Sequence, residues 1–166
     1  MEEELAIDAP AATTSYYKRI AGSDFHPLGS FTDHSPMGAG CVYRTSVGGR
    51  LSAGLQLPQG AVLDYLRIYF YDNSTEEIDV VIWAHDGAHN ESELISVTST
   101  GSQGYDSAGA WLDPAHVVDN VSEALSIVVG FGNSTNIDTG FCRVRVRYQF
   151  SLDQAYLPTV LHTARP

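Results

Sequence analysis

Apolar and polar positions alternate with a period of two along much of the chain, and long stretches with helical spacing are missing. Successive side chains of a strand point to opposite faces, so this alternation marks sheets with one buried side. It predicts strands at 16–20 (YYKRI), 40–47 (GCVYRTSV), 50–57 (RLSAGLQL), 61–72 (AVLDYLRIYFYD), 77–85 (EIDVVIWAH), 93–100 (ELISVTST), 124–131 (ALSIVVGF) and 140–150 (GFCRVRVRYQF). Between them stand SVGGR, LPQGA, DNSTEE, HDGAHNESE, STGSQGYDSAGA and FGNSTNIDTG, all rich in turn formers. Short strands with such punctuation predict an all-β fold, an antiparallel, jelly-roll-like sandwich of about eight strands. DPAHVVDNVSEAL is less clear. Asp113 and Pro114 suit a helix start, but the valines favour an extended segment, which is the reading adopted.

Two strands carry the most information. In the strand at 61–72, Val62, Leu66, Ile68 and Phe70 share one face, and Leu63, Tyr65, Arg67, Tyr69 and Tyr71 share the other. The strand at 140–150 sets Cys142, Val144, Val146, Tyr148 and Phe150 against Arg143, Arg145, Arg147 and Gln149. The first face of each suits a core. The tyrosine stripe Tyr65, Arg67, Tyr69 and Tyr71 suits a subunit interface, where Tyr and Arg are enriched, a stacking platform for sugar rings, or a surface covered by its own chain. The basic stripe Arg143, Arg145 and Arg147 suits a contact with the acidic surface of a neighbouring subunit, or a solvated face that relieves self-repulsion.

Composition narrows the partners. A chain of 166 residues is long enough for one domain that buries about 70% of its unfolded surface. Net charge is -11 with nine Lys and Arg, which argues against nucleic acid. The acidic flanks also speak against anionic sugars and leave neutral ones. No apolar run approaches the roughly 18 residues of a membrane span. The acidic N-terminus lacks the apolar stretch of a signal peptide, so the chain stays inside the cell or a leader precedes this numbering.

Two features favour a secreted or cell-surface setting. Cys41 and Cys142 both fall in predicted strands, and a bridge closing about 100 residues suits a secreted β domain. Four of the five asparagines, Asn73, Asn90, Asn120 and Asn133, lie in N-x-[ST] sequons, the acceptors for N-glycosylation.

No catalytic motif appears: HExxH, GxSxG and Gly-rich phosphate loops are missing. The expectation is a protein that is not an enzyme and needs no cofactor. His85, Asp86 and His89 have ligand chemistry for a divalent metal, although a solvated turn is the commoner origin of AHDGAHNE. Asp72, Asn73, Glu76, Glu77 and Asp79 supply oxygens of the kind calcium takes, without the EF-hand spacing; a plain acidic hairpin fits them better.

The run LSAGLQLPQGAVLDYLRIYFYDNS resembles the strand, LP-x-GA turn and long strand of uncharacterised secreted β-sandwich modules of bacterial and archaeal surface proteins. The resemblance covers residues 40–150. It implies a sandwich in which the Gly60 turn delivers two adjacent antiparallel strands. It also implies a structural or carbohydrate-binding role, and it carries no catalytic residues across.

Residues 16–150 thus form the expected sandwich domain, with an N-terminal tail at 1–15 and a C-terminal tail or clasp at 151–166. Leu5, Ile7 and Ala9 alternate with polar or small residues, which suits a strand donated to a neighbour's sheet edge. Fifteen extended residues reach about 50 Å, beyond a body of roughly 35–40 Å. A head-to-tail contact that does not close gives a filament. The leading expectation is therefore a non-enzymatic, self-assembling extracellular structural protein, a homo-oligomer or filament subunit. The alternatives are a carbohydrate-binding module that uses the tyrosine stripe, with glycans as partners, and a virion or appendage surface protein.

Overall fold

The structure, a computed structural model, describes residues 14–30, 32–101 and 103–151. Eleven strands succeed one another: β1 (Thr14–Ala21), β2 (His26–Pro27), β3 (His34–Gly38), β4 (Cys41–Arg44), β5 (Leu51–Leu55), β6 (Val62–Asp72), β7 (Asp79–His85), β8 (Glu91–Thr98), β9 (Gly104–Val117), β10 (Ala124–Gly130) and β11 (Thr139–Phe150). One sheet runs β3-β4-β11-β6-β9, with β1 paired along β11 beside β4; the other runs β2-β5-β10-β7-β8. Every pairing is antiparallel. The fold is the all-β, jelly-roll-like antiparallel sandwich that the alternation predicts.

The core explains why these segments are strands. Leu66, Ile68 and Phe70 of β6 and Phe141, Val144 and Val146 of β11 are buried. They form one cluster with Leu51 and Leu55 of β5, Val80 and Ile82 of β7, and Ile127 and Val129 of β10. Phe25 meets Phe141 edge to face at 4.9 Å. Each such side chain contributes about 1.5–3 kcal/mol on leaving water. At the sandwich's end, the guanidinium of Arg44, 2% exposed, donates to the carbonyls of Gly49, Gly132 and Ser134. Burial lowers its pKa, and Glu76 and Asp79 oppose that shift.

Four sequence expectations need correction. Leu63 is core and fully buried, and Val62 is only half-buried; a bulge between Leu63 and Tyr65 shifts the alternation. The LP-x-GA turn does not join adjacent strands, because β5 and β6 lie in different sheets. Leu57 and Ala61, both buried, pull the turn across the edge of the core. There Gly60 adopts φ 76° and its N–H donates to the Val118 carbonyl at 2.9 Å. Residues 104–110 of the segment read as the loop STGSQGYDSAGA form the first half of β9. The strands number eleven rather than about eight; β2 and β3 are too short for periodicity to reveal. DPAHV is extended at the end of β9, as adopted above.

Cys41 and Cys142 form a disulfide with an S–S distance of 2.06 Å, fastening β4 to β11 across 101 positions of sequence. Among the described residues no helix is long and apolar enough to cross a membrane. The proposed donor residues Leu5, Ile7 and Ala9 and the tail at 152–166 lie outside the described residues.

The bridge has a direct test. Denatured, unreduced protein should take up no alkylating reagent by intact mass. Reduction should lower the unfolding free energy by about 2–5 kcal/mol, read from the denaturant midpoint. Two alkylated cysteines in native material would refute the bridge.

Candidate functional site: an aromatic and arginine face

While Leu66, Ile68 and Phe70 enter the core, Tyr65, Arg67, Tyr69 and Tyr71 of β6 face outward. Antiparallel pairing brings the Arg143, Arg145 and Arg147 side of β11 beside them. On the other flank, β9 contributes Tyr105, Ser107, Gly109 and Trp111. Beyond β11, β1 adds Tyr17 and Arg19. The two stripes read separately from the sequence are therefore one surface.

Register orders that surface into rows across four strands. One row holds Tyr17, Arg147, Tyr65 and Trp111; the next holds Arg19, Arg145, Arg67 and Gly109; the third holds Ala21, Arg143, Tyr69 and Ser107. Tyr71 and Tyr105 pair beyond them. With strands about 4.8 Å apart and same-face residues about 7 Å apart, the surface is on the order of 15 by 20 Å.

The side chains hold one another in place. The Arg143 guanidinium lies 4.1 Å from the Tyr69 ring centre, Arg147 4.4 Å from that of Trp111, and Arg145 5.2 Å from that of Tyr17. All are within cation–π range. Tyr65 packs on Trp111 at 4.7 Å and Tyr71 on Tyr105 at 4.9 Å. Arg67 Nε donates to the Tyr65 hydroxyl at 3.0 Å; that bond is the main cause of its raised pKa. Gly109 makes the Tyr65 position available, because a Cβ there would meet the Tyr65 hydroxyl and come within 2.9 Å of the Leu66 carbonyl oxygen. The rings remain available to a ligand: Trp111 is 62% exposed, Tyr105 68% and Tyr17 46%.

One carboxylate joins this face. The bulge turns Asp64 outward, where Arg147 grips it with two hydrogen bonds of 2.8 and 2.6 Å and Gln149 Nε2 adds a third at 2.9 Å. The Arg147 bonds hold the Asp64 carboxyl below the usual carboxylate range, against the opposing effect of burial, and Gln149 assists. At the far end, a shallow depression is lined by Ala21, Ala39, the Cys41–Cys142 bridge, Tyr69, Tyr105 and Arg143.

The other candidates are spent inside the fold. His85 Nε2 lies 2.8 Å from Ser126 Oγ. Asp86 accepts from the Ala88 and Asn90 N–H groups and from the Asn90 amide, so it closes its own loop. Asp72 is buried and accepts from Ser74 N–H and Ser99 Oγ, and Glu76 accepts from Asn133 N–H. Among the described residues no group of three His, Cys, Asp or Glu is placed to hold a metal ion. Asn73, Asn90, Asn120 and Asn133 are exposed in connections between strands. On the opposite sheet, a second hollow contains Trp83 beside Gly54, His85 and Ser126.

No protein-family model matches the chain, and no curated protein matches it in sequence. Solved structures do match the fold. The C-terminal CBM6 of a marine laminarinase from Zobellia galactanivorans is 12% identical, with 79% of this chain and 98% of that one covered and a TM-score of 0.53. The CBM36-1 domain of a multidomain xylanase from the hindgut metagenome of Trinervitermes trinervoides is 11% identical, with 79% and 96% covered and a TM-score of 0.50. An isomalto-dextranase from Arthrobacter globiformis, complexed with panose, is 12% identical, with 78% of this chain covered and a TM-score of 0.52. This chain spans 23% of that enzyme, and less than a third of other carbohydrate-active enzymes matched.

The expectation of a self-assembling filament subunit is corrected by these matches. The chains covered end to end are carbohydrate-binding modules of the same sandwich fold. The edge of β11 next to the basic stripe is also already filled by the chain's own β1.

Tyr17, Arg19, Tyr105 and Trp111 join this face only through strand pairing. Tyr105, Ser107, Gly109 and Trp111 do repeat with period two, but the small residues between them read as a loop.

The Asp64–Arg147 pair makes a pH prediction. Because the folded pKa of Asp64 is depressed, its contribution to stability is complete above the unfolded value near 3.9 and is lost as pH falls through the folded value. Asp64→Asn should cost about 1–3 kcal/mol at neutral pH. Thermal melts of the two proteins should converge as pH falls below about 4. A gap that is constant with pH would contradict this account.

Proposed function

We propose that the protein is a non-catalytic, extracellular carbohydrate-binding β-sandwich, and that the outer face of the β6-containing sheet is its binding surface. The observation that carries the reading is a set of ordered rings, of which Trp111 and Tyr105 are exposed and Tyr65, Tyr69 and Tyr71 are half-buried. All five lie on one sheet face, Tyr69 and Trp111 under stacked arginines and Tyr65–Trp111 and Tyr71–Tyr105 packed ring on ring. Aromatic faces offer apolar area to the C–H faces of sugar rings, and neighbouring guanidiniums and tyrosine hydroxyls offer hydrogen bonds to hydroxyl groups. Preorganised side chains lose little entropy on binding.

A binding rather than hydrolytic role fits the face's acid content. Glycoside hydrolysis uses a pair of carboxyl groups, and Asp64, bound to Arg147 and Gln149, is engaged in holding the surface together. An extracellular setting accords with the disulfide. The sandwich modules resembling this chain belong to a laminarinase and a xylanase, enzymes of polysaccharides, which supports a polysaccharide as partner.

The test is affinity electrophoresis through gels that contain a panel of neutral and acidic polysaccharides. At least one should retard the protein. Trp111→Ala should weaken binding by about thirtyfold, the effect of losing an aromatic anchor worth about 2 kcal/mol. If Trp83→Ala abolishes binding and Trp111→Ala does not, the site lies on the opposite sheet. No retardation by any member of the panel refutes the reading.

A further inference from the structure

Five of the chain's nine Lys and Arg, namely Arg19, Arg67, Arg143, Arg145 and Arg147, share the one face described above. The chain as a whole carries -11, so this is strong segregation of charge. Within the face, Arg19, Arg145 and Arg67 are direct cross-strand partners. Like charges placed opposite one another on a sheet repel and destabilise it.

Among the described residues no acid forms an ion pair with this row. Of the five arginines, Arg147 has a carboxylate partner, Asp64, and no other ion pair is formed on this face among the described residues. Arg145 Nε is buried with no hydrogen-bond partner among the described residues. An unpaired buried donor beside two like charges is an unfilled requirement for an acceptor that carries negative charge. Flanking rows supply Tyr17, Tyr65 and Trp111 on one side of the arginine row and Tyr69 on the other. The rows are about 7 Å apart, so rings and cations alternate.

We propose that the row Arg19, Arg145 and Arg67 seats the anionic groups of an acidic polysaccharide, one bearing carboxylate or sulfate, while the flanking aromatic rows stack on its sugar rings. This rests on the carbohydrate-binding reading and narrows it to a ligand class that net charge alone argues against. A nucleic acid fits less well. Its charge continues at every nucleotide past the edge of the cationic face, where it meets the acidic remainder of the protein. Sparse charge on hydroxyl-rich rings matches a surface in which aromatic and cationic rows take turns.

The experiment measures binding of the full chain to a partly methyl-esterified polygalacturonate (sparse carboxylate), a sparsely sulfated galactan, uncharged galactan, an uncharged β-glucan and single-stranded oligo(dT), at low and high salt. Variants Arg145→Gln and Arg67→Gln are compared with Arg50→Gln, which removes one charge near the opposite sheet, where Arg50 faces Asp79 at 3.7 Å. Melting curves establish that each variant is folded. At least one acidic polysaccharide should bind, more weakly as salt rises. Arg145→Gln and Arg67→Gln should each reduce that affinity about ten- to hundredfold, while Arg50→Gln stays close to the parent. The carboxylate and sulfate arms identify the charged group. Binding to uncharged polysaccharides alone, or with equal affinity, overturns the anionic proposal and leaves the carbohydrate reading standing. No binding to any polysaccharide overturns both. Acidic binding indifferent to Arg145→Gln and Arg67→Gln, or tighter binding of oligo(dT) than of either acidic polysaccharide, also overturns the proposal.

Discussion

The ladder between β6 and β11 is the constraint on which the rest of the molecule depends. Each strand offers apolar residues to one side and arginine or tyrosine to the other, so their register decides two things together. In the register observed, Ile68 pairs with Val144 and Leu66 with Val146 beneath the sheet, while Arg67 pairs with Arg145 above it. A slip of one residue would drive guanidiniums into the core and expose the valines. The core and the displayed surface are two sides of one pairing.

That register is interrupted twice, and each interruption bears a tie. Asp64 is the extra residue of one bulge and binds Arg147. Cys142 is the extra residue of the other, between Phe141 and Arg143, and is bridged to Cys41. Bulges re-aim side chains where a regular strand would not. Here one delivers a carboxylate to the arginine face, and the other brings the disulfide to the floor of a depression beside Tyr69, Tyr105 and Arg143. Both anchors sit at the margins of the surface, and the repelling arginine row lies between them.

The cost of grouping like charges is met partly by stacking. Arg143 on Tyr69 and Arg147 on Trp111 lay planar cations over ring faces, which spreads charge and shields the aliphatic stems. The acidic remainder of the chain makes the face a local positive island. A ligand approaching it meets attraction over a short range only, since exposed charges are screened beyond about 8–10 Å at physiological salt. A field of such short range suits local contacts over capture of a long uniform polyanion.

Much of this was open to reading from the sequence, because a two-residue period is a local property. The alternation in RIYFYD and CRVRVRYQF identified both strands and both of their faces. The punctuation by Gly, Asn and Ser identified an antiparallel sandwich, and the two strand cysteines a bridge. Non-local pairing decided the rest. No local pattern says that the tyrosine stripe and the basic stripe are neighbours; only the β6–β11 pairing joins them. Nor does GYDSAGAW look like a strand, since its small residues have little strand preference of their own. It becomes β9 because β6 offers it a partner and because Gly109 leaves room for Tyr65. The shift that buries Leu63 and turns Asp64 outward depends on Arg147, 83 positions away. Local periodicity determined which residues face the same way, and long-range register determined which of them meet.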